Sequence, residues 1–312
     1  MPKKIFIATT VLTALVIIFA LFNTNQTQAQ SKMGTLVEIT LNGPVWVDYN
    51  KIFKKAFLAI DKVEDLADRY NENSQLSIVN REGFKHPVKV DEELFYLIEQ
   101  AINISKDTEG SFDITVAPLV KLWGFYKKQG GLPSEDTIKE ALQAAGYDNI
   151  VLNKKDRSVY FKKDGVEIDL SAIAKGYAVD KAVEVIKQFG ISSAIINAGG
   201  DVYCLGKKNI FQKWNVGIRD PMHNKKITKI IHVKDKAVAT SGGYEKFFVY
   251  KGKGYSHLID PRTGEPAQAP CNATVVAKNC TQADALATAL CIIGKEKLDY
   301  LKEKYNIEAY MF

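Results

Sequence analysis

The sequence predicts a mixed α+β fold whose sheets are mainly antiparallel. Helical segments with a single apolar stripe occur in both halves, and the second half adds short alternating strands joined by turns rather than by crossover helices. Residues 33–312 contain no repeat, low-complexity tract or long Pro/Gly/Ser linker, so they read as one unit.

Thr35–Leu41 alternates like a strand, and Tyr49–Leu66 carries Ile52, Phe53, Ala56, Phe57, Ile60 and Val63 at helical spacing. Asp91–Ser105 repeats that pattern with Leu94, Leu97, Ile98 and Ala101. Ser134–Ala145, opened by Pro133-Ser134 and closed by Gly146, is the next helix. Ser158–Phe161 and Gly165–Leu170 are expected to pair as a hairpin around Lys163-Asp-Gly165. A helix over Ala172–Phe189 stops at Gly190. Strands over Ala194–Asn197, Trp214–Arg219, Lys229–Val233, Ala237–Thr240 and Lys246–Tyr250 follow, and a last long helix, Gln282–Ile293, stops at Gly294.

The N-terminus differs from the rest of the chain. Lys3 and Lys4 precede an 18-residue apolar or threonine-containing run, Ile5–Phe22, and then the polar Asn23–Gln30. This is the pattern of an export signal, with Thr27-Gln-Ala29 offering small residues for cleavage after Ala29. The run is also close to the roughly 20 residues that span a bilayer, so an uncleaved anchor is the alternative. Residues 1–29 are therefore read as signal peptide or membrane anchor, and 30–312 as the folded domain. An extracytoplasmic (periplasmic-side) location follows, either secreted or held in the inner membrane by residues 5–22.

Removing residues 1–29 lowers the formal charge from +6 to +4, too modest to suggest nucleic acid; the lysines at 225, 226 and 229 read as a solvated face. Cys204, Cys271, Cys280 and Cys291 show no metal-ligand spacing and are read as structural.

Four segments carry possible chemistry. In Asp169–Asp180 an acid, small residues and Lys175 stand at an expected helix start, where free N–H groups and the dipole favour an anion; the small Ser171, Ala172, Ala174 and Gly176 let a ligand approach the backbone. The plainer reading is a surface ion pair beside a helix start. Asn197-Ala-Gly-Gly-Asp201 is a glycine turn after a strand. In Tyr255–Gly264, His257 stands near Asp260 and Arg262, and imidazole is well suited to accept a proton near neutral pH. In Thr281–Thr288, Asp284 and Thr288 share a helix face as hard oxygen ligands suited to magnesium, although Thr281 and Asp284 also match a capping box. G-x-S-x-G, P-loop, G-x-G-x-x-G and H-E-x-x-H motifs do not occur, which removes the commonest hydrolase, NTPase, dinucleotide-fold and zinc-protease readings. What remains is an exported, magnesium-assisted enzyme acting on a phosphate ester.

Taken together, these segments resemble the FAD:protein FMN transferase family, the ApbE-like flavin transferases. The resemblance runs in order through Met33-Gly-Thr35, Tyr70–Ser74 with Asn80, Ser111–Phe125, Asp169–Asp180, Asn197–Asp201, Val216–Pro221, Ala239–Gly242, Tyr255–Gly264 and Asp284–Ala289. It implies an ApbE-like, T-fold-like architecture, with FAD as bound substrate and Mg2+ on its pyrophosphate. Asp284, Thr288 and the Ala172 carbonyl would hold the metal. Met33, Tyr70, Ser111, Phe112, Asp113, Asp169, Lys175, Asn197 and Leu258 would contact FAD, and His257 would be the catalytic base. The implied reaction attaches FMN to a threonine or serine of an exported acceptor, a flavoprotein domain of a membrane redox complex, and releases AMP. The alternatives are an FAD pyrophosphatase giving FMN and AMP, and a non-catalytic flavin-binding protein.

Overall fold

The computed structural model describes residues 23–126, 131–219, 226–243, 247–267 and 271–311. Strands β1 (Asn23–Lys32) and β2 (Thr35–Pro44) form a hairpin, followed by helices α1 (Tyr49–Ala67) and α2 (Gln75–Glu82), strand β3 (Val88–Lys89) and helix α3 (Glu92–Asp107). Next come α4 (Ala117–Leu122), α5 (Glu135–Ala144), β4 (Ile150–Asn153), β5 (Ser158–Phe161) and α6 (Ala174–Gln188). Strands β6 (Ser193–Ala198), β7 (Asp201–Leu205), β8 (Trp214–Arg219), β9 (Ile227–Val233), β10 (Lys236–Gly242), β11 (Phe247–Tyr250), β12 (Lys253–Ser256) and β13 (Asn272–Ala277) lead to α7 (Cys280–Ile293), α8 (Leu298–Tyr305) and β14 (Glu308–Met311).

Seven strands form one sheet in the order β1-β2-β6-β7-β10-β13-β14, and every neighbouring pair is antiparallel. This is the α+β class that the sequence predicts. Strand alternation divides the sheet's residues between two cores. Val37, Ile39 and Leu41 turn toward the helical layer, where they join Ile52, Phe53 and Ile60 of α1, Val179 and Ile186 of α6, and Leu286 and Leu290 of α7. Val202, Cys204, Val238 and Val276 turn the other way and pack under the β8–β9 ribbon with Trp214, Ile218, Ile231 and Val233. A third cluster, Leu119, Trp123, Ile138 and Ile259, ties α4 and α5 to the segment after β12, and Trp123 Nε1 donates to the Gly264 carbonyl at 2.8 Å.

Three local expectations change. β5 pairs with β4 and β3, not with Gly165–Leu170, which follows a turn at Gly165 and lies outside any strand. Its backbone bonds go elsewhere: the Asn80 side chain accepts from Ile168 N at 2.7 Å and donates to Ile168 O at 2.9 Å, and Asp169 N donates to Ile114 O. The helix expected from Ala172 starts at Ala174, because Ile173 N and Ala174 N both turn back to Leu170 O. At the N-terminus, β1 runs through Ala29, so Asn23–Ala29 joins the sheet ahead of the boundary expected at residue 30; Ala29 itself pairs with Glu38. The run Ile5–Phe22 lies outside the described residues. Among the described residues, no helix is long and apolar enough to cross a membrane.

Candidate active site

A cleft of about 540 Å³ opens at the end of the sheet where β1 turns into β2. That turn is two residues long, and both take left-handed backbone angles: Met33 at φ 51° and Gly34 at φ 70°. It brings Met33 to the cleft, where its N–H donates to Glu64 Oε1 at 2.8 Å.

One side of the cleft is the junction of α6 and α7. Asp180 of α6 accepts from Cys280 N, Thr281 N and Thr281 Oγ1 at 2.6–2.9 Å, so a carboxylate from one helix caps the other. The helices then meet at Gly176, where a Cβ would lie 2.3 Å from the Cys280 carbonyl oxygen and 2.9 Å from Asp284 Cβ. This contact excludes any side chain larger than hydrogen. It brings Lys175 Nζ to 3.8 Å from Asp284 Oδ1 and into an ion pair with Asp201. Burial alone would push the Lys175 ammonium toward neutrality, but the Asp284 and Asp201 carboxylates outweigh it and hold the lysine protonated. Burial pushes the buried Asp284 carboxyl upward, opposed by Lys175 and by Gly176 N, which donates to Asp284 Oδ2 at 3.1 Å.

Gly176 stands in the first turn of α6, whose N–H groups have no acceptor within the helix, so Asp284 satisfies one of them; the Ala172 carbonyl lies ahead of the helix and outside its ladder, whose first bond runs from Tyr177 N to the Ile173 carbonyl. The anion grip expected from free N–H groups at the helix start is not what forms, since Ser171 N, Ile173 N, Ala174 N and Gly176 N all have protein acceptors. The capping-box reading of Thr281 and Asp284 fails as well: the N-cap of α7 is Asn279, which accepts from Gln282 N. Asp284 and Thr288 lie on the cleft face of α7, and Thr288 Oγ1 is 2.9 Å from Ser241 Oγ.

The other side is aromatic. Asp169 does not pair with Lys175. Its carboxylate bonds Arg69 Nη1 at 3.1 Å, the Tyr126 hydroxyl at 2.5 Å and Ser171 N at 2.8 Å. The Arg69 guanidinium lies over the Tyr126 ring, 3.7 Å from its centroid, and Tyr70 meets Tyr126 edge-on while keeping 71% of its surface exposed. Burial, then the Asp169 charge, raises the Tyr126 phenol well above its usual range, so the hydroxyl stays a donor.

The floor and rim carry the remaining residues. Ser111 is fully buried, lines the cleft, and its Oγ has no hydrogen-bond partner among the described residues. Phe112 is buried beside it. Asp113 lines the cleft, but its oxygens are occupied by Thr115 and Tyr147 N, so it acts as a local cap. His257 and Leu258 follow β12 on the rim, with the His257 ring edge-on to Phe125. The neighbours Asp260 and Arg262 close on each other through two side-chain bonds of 2.8–2.9 Å, apart from the histidine.

Thus Met33, Tyr70, Ser111, Phe112, Asp113, Asp169, Ala172, Lys175, His257, Leu258, Asp284 and Thr288 all line one cleft. Asn197 does not. It is exposed, and its side chain accepts from Gly200 N at 2.9 Å to close the glycine turn, which delivers Asp201 to Lys175 instead. Arg69, Tyr126 and Asp201 are the site residues that the sequence reading missed. Asp201 stands in a motif already singled out, but the partners of Arg69 and Tyr126 lie 100 and 43 positions away.

The family model of the ApbE family matches residues 33–311. The chain belongs to the ApbE family. Among curated relatives, it is 32% identical to an FAD:protein FMN transferase of Treponema pallidum, over 86% of this chain and 79% of that protein. It is 31% identical to an FAD:protein FMN transferase of Vibrio cholerae, over 89% and 84%. Among solved structures, an ApbE protein from Thermotoga maritima superposes with a TM-score of 0.84 at 33% identity, covering 92% of this chain and 94% of that one. The flavin transferase ApbE from Vibrio cholerae gives 0.82 at 28%, covering 93% of each. The ApbE fold is therefore shared over nearly the whole described body.

Proposed function

We propose that this chain is an FAD:protein FMN transferase: it binds FAD in the cleft and moves the FMN half onto a threonine or serine hydroxyl of another exported protein, releasing AMP. The observation that carries this is the pairing, in one cleft, of a charged nest at the α6–α7 junction with an aromatic wall, and the relatives' activity agrees with it. The unpartnered Ser111 Oγ is a polar atom waiting for a ligand, since a buried hydroxyl left without a partner is costly.

The junction also fits a magnesium ion. Asp201 and Asp284 outnumber Lys175, leaving a net negative nest, and Asp284, Thr288 and the Ala172 carbonyl, which lies ahead of the α6 ladder, are all oxygen ligands. Among the described residues, no three His, Cys, Asp or Glu side chains converge, so the protein would offer few ligands and leave the rest to phosphate and water. When bound, the metal would supply neutralisation of pyrophosphate charge.

The chain's own residues do the rest. The protonated Lys175 offers N–H donors and positive charge to the phosphate that becomes part of AMP. Arg69 and Asp169 hold Tyr126 at the wall, beside the more exposed Tyr70, where both rings can meet the flavin end. In the transfer, the acceptor oxygen forms a bond to the flavin-side phosphorus, the bond from that phosphorus to the bridging oxygen breaks, and the hydroxyl proton goes to His257. Residues 5–22 would keep the enzyme on the extracytoplasmic side, where its acceptors, flavoprotein domains of membrane redox complexes, are found.

The test is mass spectrometry of candidate exported acceptor domains after incubation with the protein, FAD and magnesium. The expected result is an FMN-sized adduct on threonine or serine with one AMP released per adduct. AMP released at the same rate without acceptor would assign hydrolysis instead. His257→Ala is expected to bind FAD normally and to lose transfer by roughly 10²–10⁴-fold; unchanged transfer removes His257 from the role.

A further inference from the structure

The end of the sheet opposite the cleft has a composition of its own. β1 begins there at Asn23, paired with Pro44, immediately after the apolar run Ile5–Phe22. The turn after β2 projects Val45 and Trp46, the latter 73% exposed. Beside it lies the loop after β7. Asn42 Nδ2 donates to the Lys208 carbonyl at 3.0 Å, and Ser193 Oγ donates to the Lys207 carbonyl at 2.6 Å. Asn209 Oδ1 accepts from both Phe211 N and Gln212 N, fixing a tight turn that displays Ile210 and an 82% exposed Phe211. Large apolar side chains on two loops at one end of the sheet, the second of them tied to β2 and β6 and carrying the exposed Lys207 and Lys208, are out of place on a surface facing only water.

We propose that this end is a membrane-docking face: Val45, Trp46, Ile210 and Phe211 enter the interfacial layer of an anionic phospholipid bilayer, and Lys207 and Lys208 bind its headgroups. Two observations name the occupant. The first described residue, Asn23, stands at this end, and in the sequence it follows directly, with no intervening linker, on a run close to the length that spans a bilayer. The chemistry also matches an interface, where aromatic residues prefer the headgroup level and lysines gain from anionic lipid. None of the described acids forms an ion pair with Lys207 or Lys208; Asp48, the acid nearest the Trp46 turn in sequence, is engaged as the N-cap of α1.

The orientation has a consequence for the active site. β1 and β2 are ten residues each, and at about 3.4 Å per residue they hold the Met33–Gly34 turn roughly 30 Å from the docked end. The cleft therefore stands at the far end of the hairpin from the bilayer, within reach of an acceptor domain held above the same membrane. The arrangement also requires β1 to stay attached, because cleavage after Ala29 would cut the strand within its pairing to β2. This inference rests on reading residues 5–22 as a retained anchor, and it is independent of the transferase assay.

The protein carries its own probe. Of its three tryptophans, Trp123 and Trp214 are buried in protein cores and Trp46 is exposed. The full chain is reconstituted into phosphatidylethanolamine/phosphatidylglycerol vesicles containing lipids brominated near the headgroup. The expected result is flotation with the vesicles, a mass that retains residues 1–29, and about a twofold loss of the Trp46 emission relative to unbrominated vesicles. Lys207→Glu with Lys208→Glu should float equally, keep normal flavin transfer to a soluble acceptor, and lose most of that quenching. Flotation without quenching of Trp46 overturns the docking face while leaving the anchor. A mature chain that begins at Gln30, or one that stays in solution, overturns both, and neither outcome alters the transferase assignment.

Discussion

The α6–α7 junction and the Arg69–Tyr126 wall line the same cleft but are built differently. The junction is rigid: two long helices touch at Gly176, Asp180 caps α7, and Lys175 sits between two carboxylates. The wall is a stack, in which Arg69 lies between the Asp169 carboxylate and the Tyr126 ring and Tyr70 leans on its edge in contact with solvent. Charge that must be stabilised during bond breaking needs groups already in place, whereas a flat aromatic ligand can be gripped by surfaces that adjust. The difference between the two regions thus matches the two halves of the proposed substrate.

That contrast can be broken from either side. The largest effect is expected from Asp284→Ala, which removes a proposed metal oxygen and one partner of Lys175. Transfer should fall roughly 10²–10³-fold while the thermal midpoint changes little, because Asp201 still pairs with the lysine. Steady-state transfer rates against magnesium concentration check this, and a wild-type magnesium dependence would remove Asp284 from the metal. Gly176→Ala comes next. Its Cβ would meet the Cys280 backbone, which cannot move aside as a flexible side chain could, so the helices must separate. A loss of about 1–3 kcal/mol in stability is expected, read as a lowered thermal midpoint, together with reduced transfer. Retention of both would show that the junction tolerates displacement. The smallest effect is that of Tyr126→Phe, which deletes one bond to Asp169 and keeps the ring under Arg69. FAD affinity should weaken by about 1 kcal/mol, roughly fivefold in Kd, with the rate at saturating FAD unchanged. A matching fall in that rate would mean that the wall, too, takes part in the chemistry.

Much of this was legible in the sequence because it depends on local pattern. The α1 stripe from Ile52 to Val63, the bounds of β8 and the glycine stops after α6 and α7 all follow from neighbours a few residues apart. Lys175, Asp284 and His257 stood out as chemically able groups in small-residue or turn contexts. β1 was harder to read, since its polar residues form an exposed strand that, among the described residues, pairs with β2 alone, and they also fit the tail of an export signal.

By itself, then, the sequence determined the α+β class, the succession of helices and strands, the family, and thirteen candidate site residues of which twelve line the cleft. The tertiary structure alone decided how those residues pair. Lys175 could not be assigned to Asp201 and Asp284, nor Asp169 to Arg69 and Tyr126, from spacing, because those contacts join segments between 26 and 109 positions apart. A charge selects its partner by distance in space, and at such separations that distance is set by the packing of helices and sheet rather than by the local chain.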